Sequence, residues 1–139
     1  MFLDYFSNIY KTSSPTKMEK VFQVTTRKVD YQMNADLLRE FTTEEVRQAL
    51  YQMHSSKPFG PDGTTACFYK EYWSIIGEDV TKLTLEFLNG DGDLKEINHT
   101  NVVLIPKKKA TCTPKDFQPI SLCNVVYKIV AKVLANMLK

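Results

Sequence analysis

The residues best supplied for chemistry in this sequence are lysines, gathered in Lys107-Lys108-Lys109 with Lys115 close behind. Ammonium groups on flexible stems meet phosphate oxygens as point charges, so such a run suits a polyanion. Lys57 opens a second segment of interest, Lys57-Pro58-Phe59-Gly60-Pro61-Asp62-Gly63. Two Pro and two Gly within seven residues exclude regular structure there and force a fixed turn. Its glycines do not fit GxxxxGK[ST], so a phosphate-cradling P-loop fails on spacing. Other chemistry is poorly supplied. His54 and His99 stand far apart, and Cys67, Cys112 and Cys123 form no CxxC pair, which predicts no metal site. Asp91-Gly92-Asp93 holds only fragments of a calcium loop and is expected to be a plain turn. No GxSxG elbow accompanies the serines and no His partners the cysteines, so no nucleophilic triad is expected. The plain alternative for the lysines is a solvated hairpin and a rigid turn, since exposure is the default for Lys.

The elements that must position these residues are mostly helical. A mixed apolar and charged stretch over residues 18–29 is expected to be helix, after a linker-like stretch at 11–15. Thr42 followed three residues later by Glu45 has capping-box spacing and starts a helix over residues 43–53, with Val46, Ala49, Leu50 and Met53 on one face. After the Pro/Gly loop, Thr64 or Thr65 can cap a helix carrying Cys67, Phe68, Tyr72, Trp73, Ile75 and Ile76, which Gly77 is expected to interrupt. A further helix over 78–89 turns Val80, Leu83, Leu85, Phe87 and Leu88 mostly inward and stops at Gly90. Val102-Val103-Leu104-Ile105, bounded by Pro106, reads as a strand that pairs with 117–122 across the lysine loop. Pro119, lacking an N–H, places the second strand at a sheet edge. A last amphipathic helix starts near Val125 with Asn124 as cap and carries Lys128, Lys132, Asn136 and Lys139 as its polar stripe. Apolar side chains occupy most of its remaining circumference, which predicts that Ile129, Val133 and Met137 are exposed unless something covers them.

Composition bounds the function. The chain has 139 residues, 43% of them hydrophobic, with 18 Lys+Arg against 16 Asp+Glu, an ordinary globular balance that allows one domain at most. The charge is uneven: residues 99–139 hold seven Lys+Arg and one acidic residue, whereas 57–98 hold four and eight. A basic C-terminal third is a plausible docking face for phosphates. Three cysteines, an odd number, predict free thiols in a reducing compartment. No apolar run long enough for a membrane span or a secretory leader is present, so no membrane partner is expected. The compartment, intracellular and nuclear or cytoplasmic, is not specified by the sequence.

In order along the chain, KPFGPDG, the Trp73-containing FYKEYWSIIGEDV, NVVLIPKK, and DFQPISLCNVVYKIVAKVLANMLK resemble the front part of the reverse transcriptase domain of plant non-LTR (LINE-type) retrotransposons. The matching region runs from about residue 36 to 139, and FLDYFSNIY agrees with what usually precedes it. The resemblance implies an α+β fold, mostly helical with a β-hairpin, like the fingers part of a reverse transcriptase right hand. It divides the chain into a helical lead-in, 1–35, and a partial reverse transcriptase domain, 36–139, truncated before the catalytic palm. It also implies that the Lys57 loop belongs to the entry block, while IPK and DF-x-PISL form two fingers strands that grip template and incoming nucleoside triphosphate. On that basis the template- or nucleotide-binding residues are Lys57, Lys107, Lys108, Lys109 and Gln118.

Two departures weaken the implied grip. Gln118 stands where the family has Arg, whose fixed positive fork a neutral amide cannot replace, and Pro58-Phe59 stands where the family has Ala-Pro. The family's magnesium-binding aspartates come from a later palm block and a Tyr-x-Asp-Asp turn, neither present in the sequence; Asp62 and Asp116 match positions that do not bind metal. The expectation is therefore no catalytic residue, no metal or cofactor, and no enzymatic activity of this chain alone. Its expected partners are RNA or DNA, bound weakly and without sequence preference, and a second copy through the C-terminal helix. Two alternatives remain: a small basic nucleic-acid-binding module without chemistry, or an interaction fragment whose apolar helix docks into a partner's groove.

Overall fold

The computed structural model describes every residue except 12–13, 15–17, 25–28 and 91, and the side chains of 20, 21, 94 and 96 are likewise outside the description. Most of the 11–15 linker, the later part of the helix expected over 18–29, and the first residue of the 91–93 turn lie outside the described residues. Along the chain come α1 (Phe2–Tyr10), α2 (Glu19–Val24), α3 (Tyr31–Leu38), α4 (Thr43–Gln52), α5 (Ala66–Glu71), α6 (Trp73–Leu88), α7 (Leu94–Ile97), β1 (Thr100–Pro106), β2 (Phe117–Cys123) and α8 (Val125–Met137). This is a mixed helix-and-strand chain, compatible with an α+β class, in which β1 and β2 form a two-stranded sheet. By packing, it divides into two compact units, Met1–Asp36 with Leu104–Pro119, and Leu37–Val103 with Ile120–Lys139. Residues 104–119 thus group with the N-terminal segment, a grouping absent from the sequence division at 35/36.

In the first unit, the ring of Phe2 at the start of α1 meets Phe117 of β2 edge-on, with centroids 5.6 Å apart. Such a contact suits the aromatic quadrupole.

The second unit is built on three helices. At the start of α4, Thr42 Oγ1 accepts from Glu45 N at 3.4 Å, while Glu45 Oε2 accepts from Thr42 N at 2.9 Å. The capping box read from the sequence is therefore formed, and both orphan donors are satisfied. Val46, Ala49 and Leu50 of α4 pack with Val80 of α6 and with Val125, Ile129 and Val133 of α8 in one cluster. Phe87, Ile97, Val126 and Val130 make a second. Each large apolar side chain buried in this way contributes roughly 1.5–3 kcal/mol.

Two expectations are corrected and one is extended. Gly77 does not break a helix; it lies buried inside α6, where a Cβ would come within 2.7 Å of the Trp73 ring. Glycine there makes room for the indole, and the helix boundary falls instead at Tyr72 (φ −97°, ψ 16°). Thr81 and Thr84 join the buried face of α6 beside the expected Val80 and Phe87. Thr84 tolerates full burial because its hydroxyl donates to Val80 O at 2.7 Å. Finally, α8 is the centre of the unit: Ile129 is 0% and Val133 2% exposed. A helix apolar around most of its surface needs cover on several sides, and α4 and α6, both upstream, provide it. The premise of an exposed α8 docking face at Ile129 and Val133 is gone.

Candidate nucleic-acid interface

The Pro/Gly loop is stapled to the β2–α8 junction. Gly60 is buried so tightly that a Cβ would sit 2.5 Å from the carbonyl carbon and oxygen of Cys123 and 2.6 Å from Asn124 N. Asn124 stands at the N-cap position of α8 but its side chain makes no cap bond. Its Oδ1 accepts from Asp62 N at 3.2 Å instead, exchanging the expected capping role for a tie across 62 residues. From α8, Lys128 Nζ donates to Pro58 O at 2.9 Å. Gly63, at φ +70°, closes the turn with its N–H on Gly60 O at 3.1 Å, and only glycine adopts that backbone without strain. On the upstream side, Lys70 Nζ donates to Met53 O at 2.5 Å and Tyr51 O at 3.2 Å, satisfying carbonyls at the end of α4.

These ties shape a groove of about 450 Å³ in the second unit, whose lining includes Lys57, Lys128, Lys132, Tyr127, Leu122 and Ala131. Lys57 was singled out in the sequence. Lys128 and Lys132 belong to the polar stripe of the amphipathic α8, and their i, i+4 spacing, which puts both on one face, is the sequence signal that they act together. No Asp or Glu lines the groove, and none of the three lysines forms an ion pair with a described residue.

The other candidates sit in the first unit, where each must be read separately. Lys108 Nζ pairs with Asp116 Oδ1 at 2.6 Å. Asp116 Oδ2 accepts from Cys112 N and Thr113 N, both at 3.0 Å, and from Thr113 Oγ1 at 3.2 Å. The Lys108 ammonium first, then those two backbone N–H groups, hold the Asp116 carboxyl well below the usual carboxylate range. Lys108 is therefore already paired within its own hairpin. Lys107 Nζ donates to the neutral carbonyl of Lys115 at 3.2 Å and makes no ion pair with a described residue. Lys109 is exposed and makes no ion pair with a described residue. Gln118 is exposed on β2. The structure thus brings Lys107, Lys108, Lys109 and Gln118 into one unit and places Lys57 in the other.

Neither aspartate of the matched motifs is placed to hold the magnesium that the resemblance associates with the parent polymerase. Asp116 is taken up as above, and Asp62 accepts from Thr64 Oγ1 at 2.5 Å and Thr64 N at 3.3 Å within its own turn. Among the described residues no group of three or more His, Cys, Asp or Glu comes together. No described helix is long and apolar enough to cross a membrane.

A larger groove of about 640 Å³ lies along α6 and α4, with Trp73 and Gly77 in its lining. Its charges are mixed, Arg47 and Lys82 beside Glu78 and Glu86, so it offers an anion no net attraction. Thr81 Oγ1, buried in its lining, has no hydrogen-bond partner among the described residues.

No family model matches the sequence. Over 99 residues, 70% of the chain, it is 36% identical to the "Transposon TX1 uncharacterized 149 kDa protein" of Xenopus laevis, of which the match spans only 8%. Over most of its length, the chain is similar to a small part of a transposon-encoded protein.

Proposed function

We propose that these 139 residues are a fingers-side piece of a non-LTR, LINE-type retrotransposon reverse transcriptase of the kind found in plants, able to grip nucleic acid but not to polymerise it alone. The observation that carries this reading is the 36% identity to a transposon protein over 70% of the chain, joined to the order of the four motif segments. Gripping falls to lysines, which track phosphates without reading sequence. In the first unit these are Lys107 and Lys109, with Lys108 discounted by its Asp116 partner. Gln118 is a weakened contact, because an amide carries no charge toward a triphosphate. Polymerase chemistry needs paired carboxylates holding two divalent ions, and the sequence lacks the palm motifs that supply them.

Primer extension with purified chain, template and magnesium or manganese tests the inactive half of the proposal. The expected result is no incorporation; incorporation free of contaminating polymerase overturns it. Single-stranded RNA binding tests the gripping half. Changing Lys107, Lys108 and Lys109 together to Ala should lower affinity and flatten the salt dependence by about 1.4 in log–log slope. That figure corresponds to two phosphate contacts at about 0.7 each, not three. Gln118→Arg should add no more than one contact and no polymerisation. The competing reading as a helix-docking fragment would rest on Leu134 and Leu138, which are exposed, because Ile129 and Val133 are covered within the chain.

A further inference from the structure

We propose that the groove between the Pro/Gly loop, β2 and α8 is a binding site for the backbone of single-stranded nucleic acid, with Lys57 and Lys132 on its phosphates and Lys128 as both clamp and charge. This deepens the gripping role proposed above and rests on it for the class of partner.

Charge complementarity points to the occupant. Three lysines line a groove without a lining carboxylate, in a chain whose overall charge is only +2. Lys128 is held there by its bond to the neutral carbonyl of Pro58, which fixes the head group and leaves its charge uncompensated. Lys128 and Lys132 are one helical turn apart, a rise of about 6 Å along the groove wall. The volume of about 450 Å³ falls within the roughly 300–1,000 Å³ of ligand sites. Its lining is otherwise largely apolar, with Tyr127, half-buried against the second core cluster, at its side; a basic wall of this kind tracks a strand's backbone without reading its sequence.

A strand fits better than a free nucleoside triphosphate. A compact triphosphate is normally met by a cradle of backbone N–H groups, an Arg fork or a carboxylate-held metal ion. The lining here contains no Arg, Asp or Glu and one Ser. Lysines on flexible stems instead follow successive phosphates as separate point charges.

The test is fluorescence anisotropy of the full 139-residue chain with a labelled oligouridylate across a salt series, comparing the parent with Lys57→Gln/Lys132→Gln and Lys57→Arg/Lys132→Arg. At 0.1 M salt each lost phosphate contact reduces affinity about fivefold, so the Gln pair should bind about 25-fold more weakly. Its log–log salt slope should be shallower by about 1.4. The Arg pair should bind like the parent, and circular dichroism melts of all three should coincide. Parent-like binding by the Gln pair, while the Lys107/Lys108/Lys109 variant loses affinity, overturns the groove and leaves the proposed function standing. Absence of binding by the parent overturns both. Displacement of the oligouridylate by uridine triphosphate at equal phosphate concentration overturns the assignment to a strand.

Discussion

Gly60→Ala should be among the most damaging single-methyl changes in the chain. The added carbon would sit 2.5 Å from the Cys123 carbonyl and 2.6 Å from Asn124 N, both backbone atoms fixed at the junction of β2 and α8. No flexible side chain is there to yield. Overpacking of this kind costs about 1–3 kcal/mol, and the upper end applies where the obstacle is backbone. Displacing the loop also weakens the Asp62 to Asn124 hydrogen bond, worth about 1 kcal/mol. Restricting the unfolded chain returns about 0.4–1 kcal/mol, which leaves a net loss of about 3 kcal/mol. Gly63→Ala is the control. A Cβ there meets nothing within 4 Å, but φ is +70°, so left-handed strain of about 1–2 kcal/mol less the same unfolded-state gain predicts about 1 kcal/mol. Urea unfolding reads both, and with a slope near 2 kcal/mol/M the Gly60 variant should lose about 1.5 M in midpoint. A Gly60→Ala protein within about 0.5 kcal/mol of the parent, or more stable than Gly63→Ala, would refute the stapled-loop argument.

Other outcomes follow from the same geometry. Thr42→Ala removes the acceptor for Glu45 N and should cost about 1 kcal/mol in urea unfolding. Glu45 is lowered from 4.5 to about 2, chiefly by its Arg39 hydrogen bond. Its folded value lies below its unfolded one, so its contribution is fully present above about pH 4.5 and is lost as pH falls toward 2. Unfolding midpoints between pH 5 and 2 should therefore fall less steeply in Glu45→Gln than in the parent. Asp116→Asn should speed amide exchange at Cys112 and Thr113, whose N–H groups it now accepts, and should free Lys108, raising RNA affinity at low salt. Gly77→Ala should shift the fluorescence of Trp73, the single tryptophan of the chain, because a Cβ would come within 2.7 Å of its ring.

Local signals in the sequence were strong where chemistry and period agreed. Thr42 and Glu45 announce the start of α4, Val102 to Ile105 a strand, and Lys57 to Gly63 a fixed turn, since each rests on what neighbouring residues do to one another. What could not be read was which partner each residue meets across the chain. Gly77 looked like a helix breaker because its packing under Trp73 exists only once α6 has formed. Asn124 looked like a cap because nothing local shows that Asp62, 62 positions earlier, claims its side chain. The apolar girth of α8 correctly demanded cover but did not say that α4 and α6 supply it. The lysines show the same limit: Lys57, Lys128 and Lys132 are scattered in sequence and share one groove, whereas the contiguous Lys107 to Lys109 run is partly spent on Asp116.

The most direct test of the central claim is the salt dependence of single-stranded RNA binding by the unmodified chain. A nucleic-acid grip made of lysine–phosphate contacts predicts a linear fall of log affinity with log salt, at about 0.7 per contact, and the same curve for oligonucleotides of unrelated sequence. Contacts from Lys107 and Lys109 of the hairpin by themselves give a slope of about 1.4, and contacts from the three groove lysines by themselves about 2.1. No binding at 20 mM salt, or binding indifferent to salt, would contradict the account.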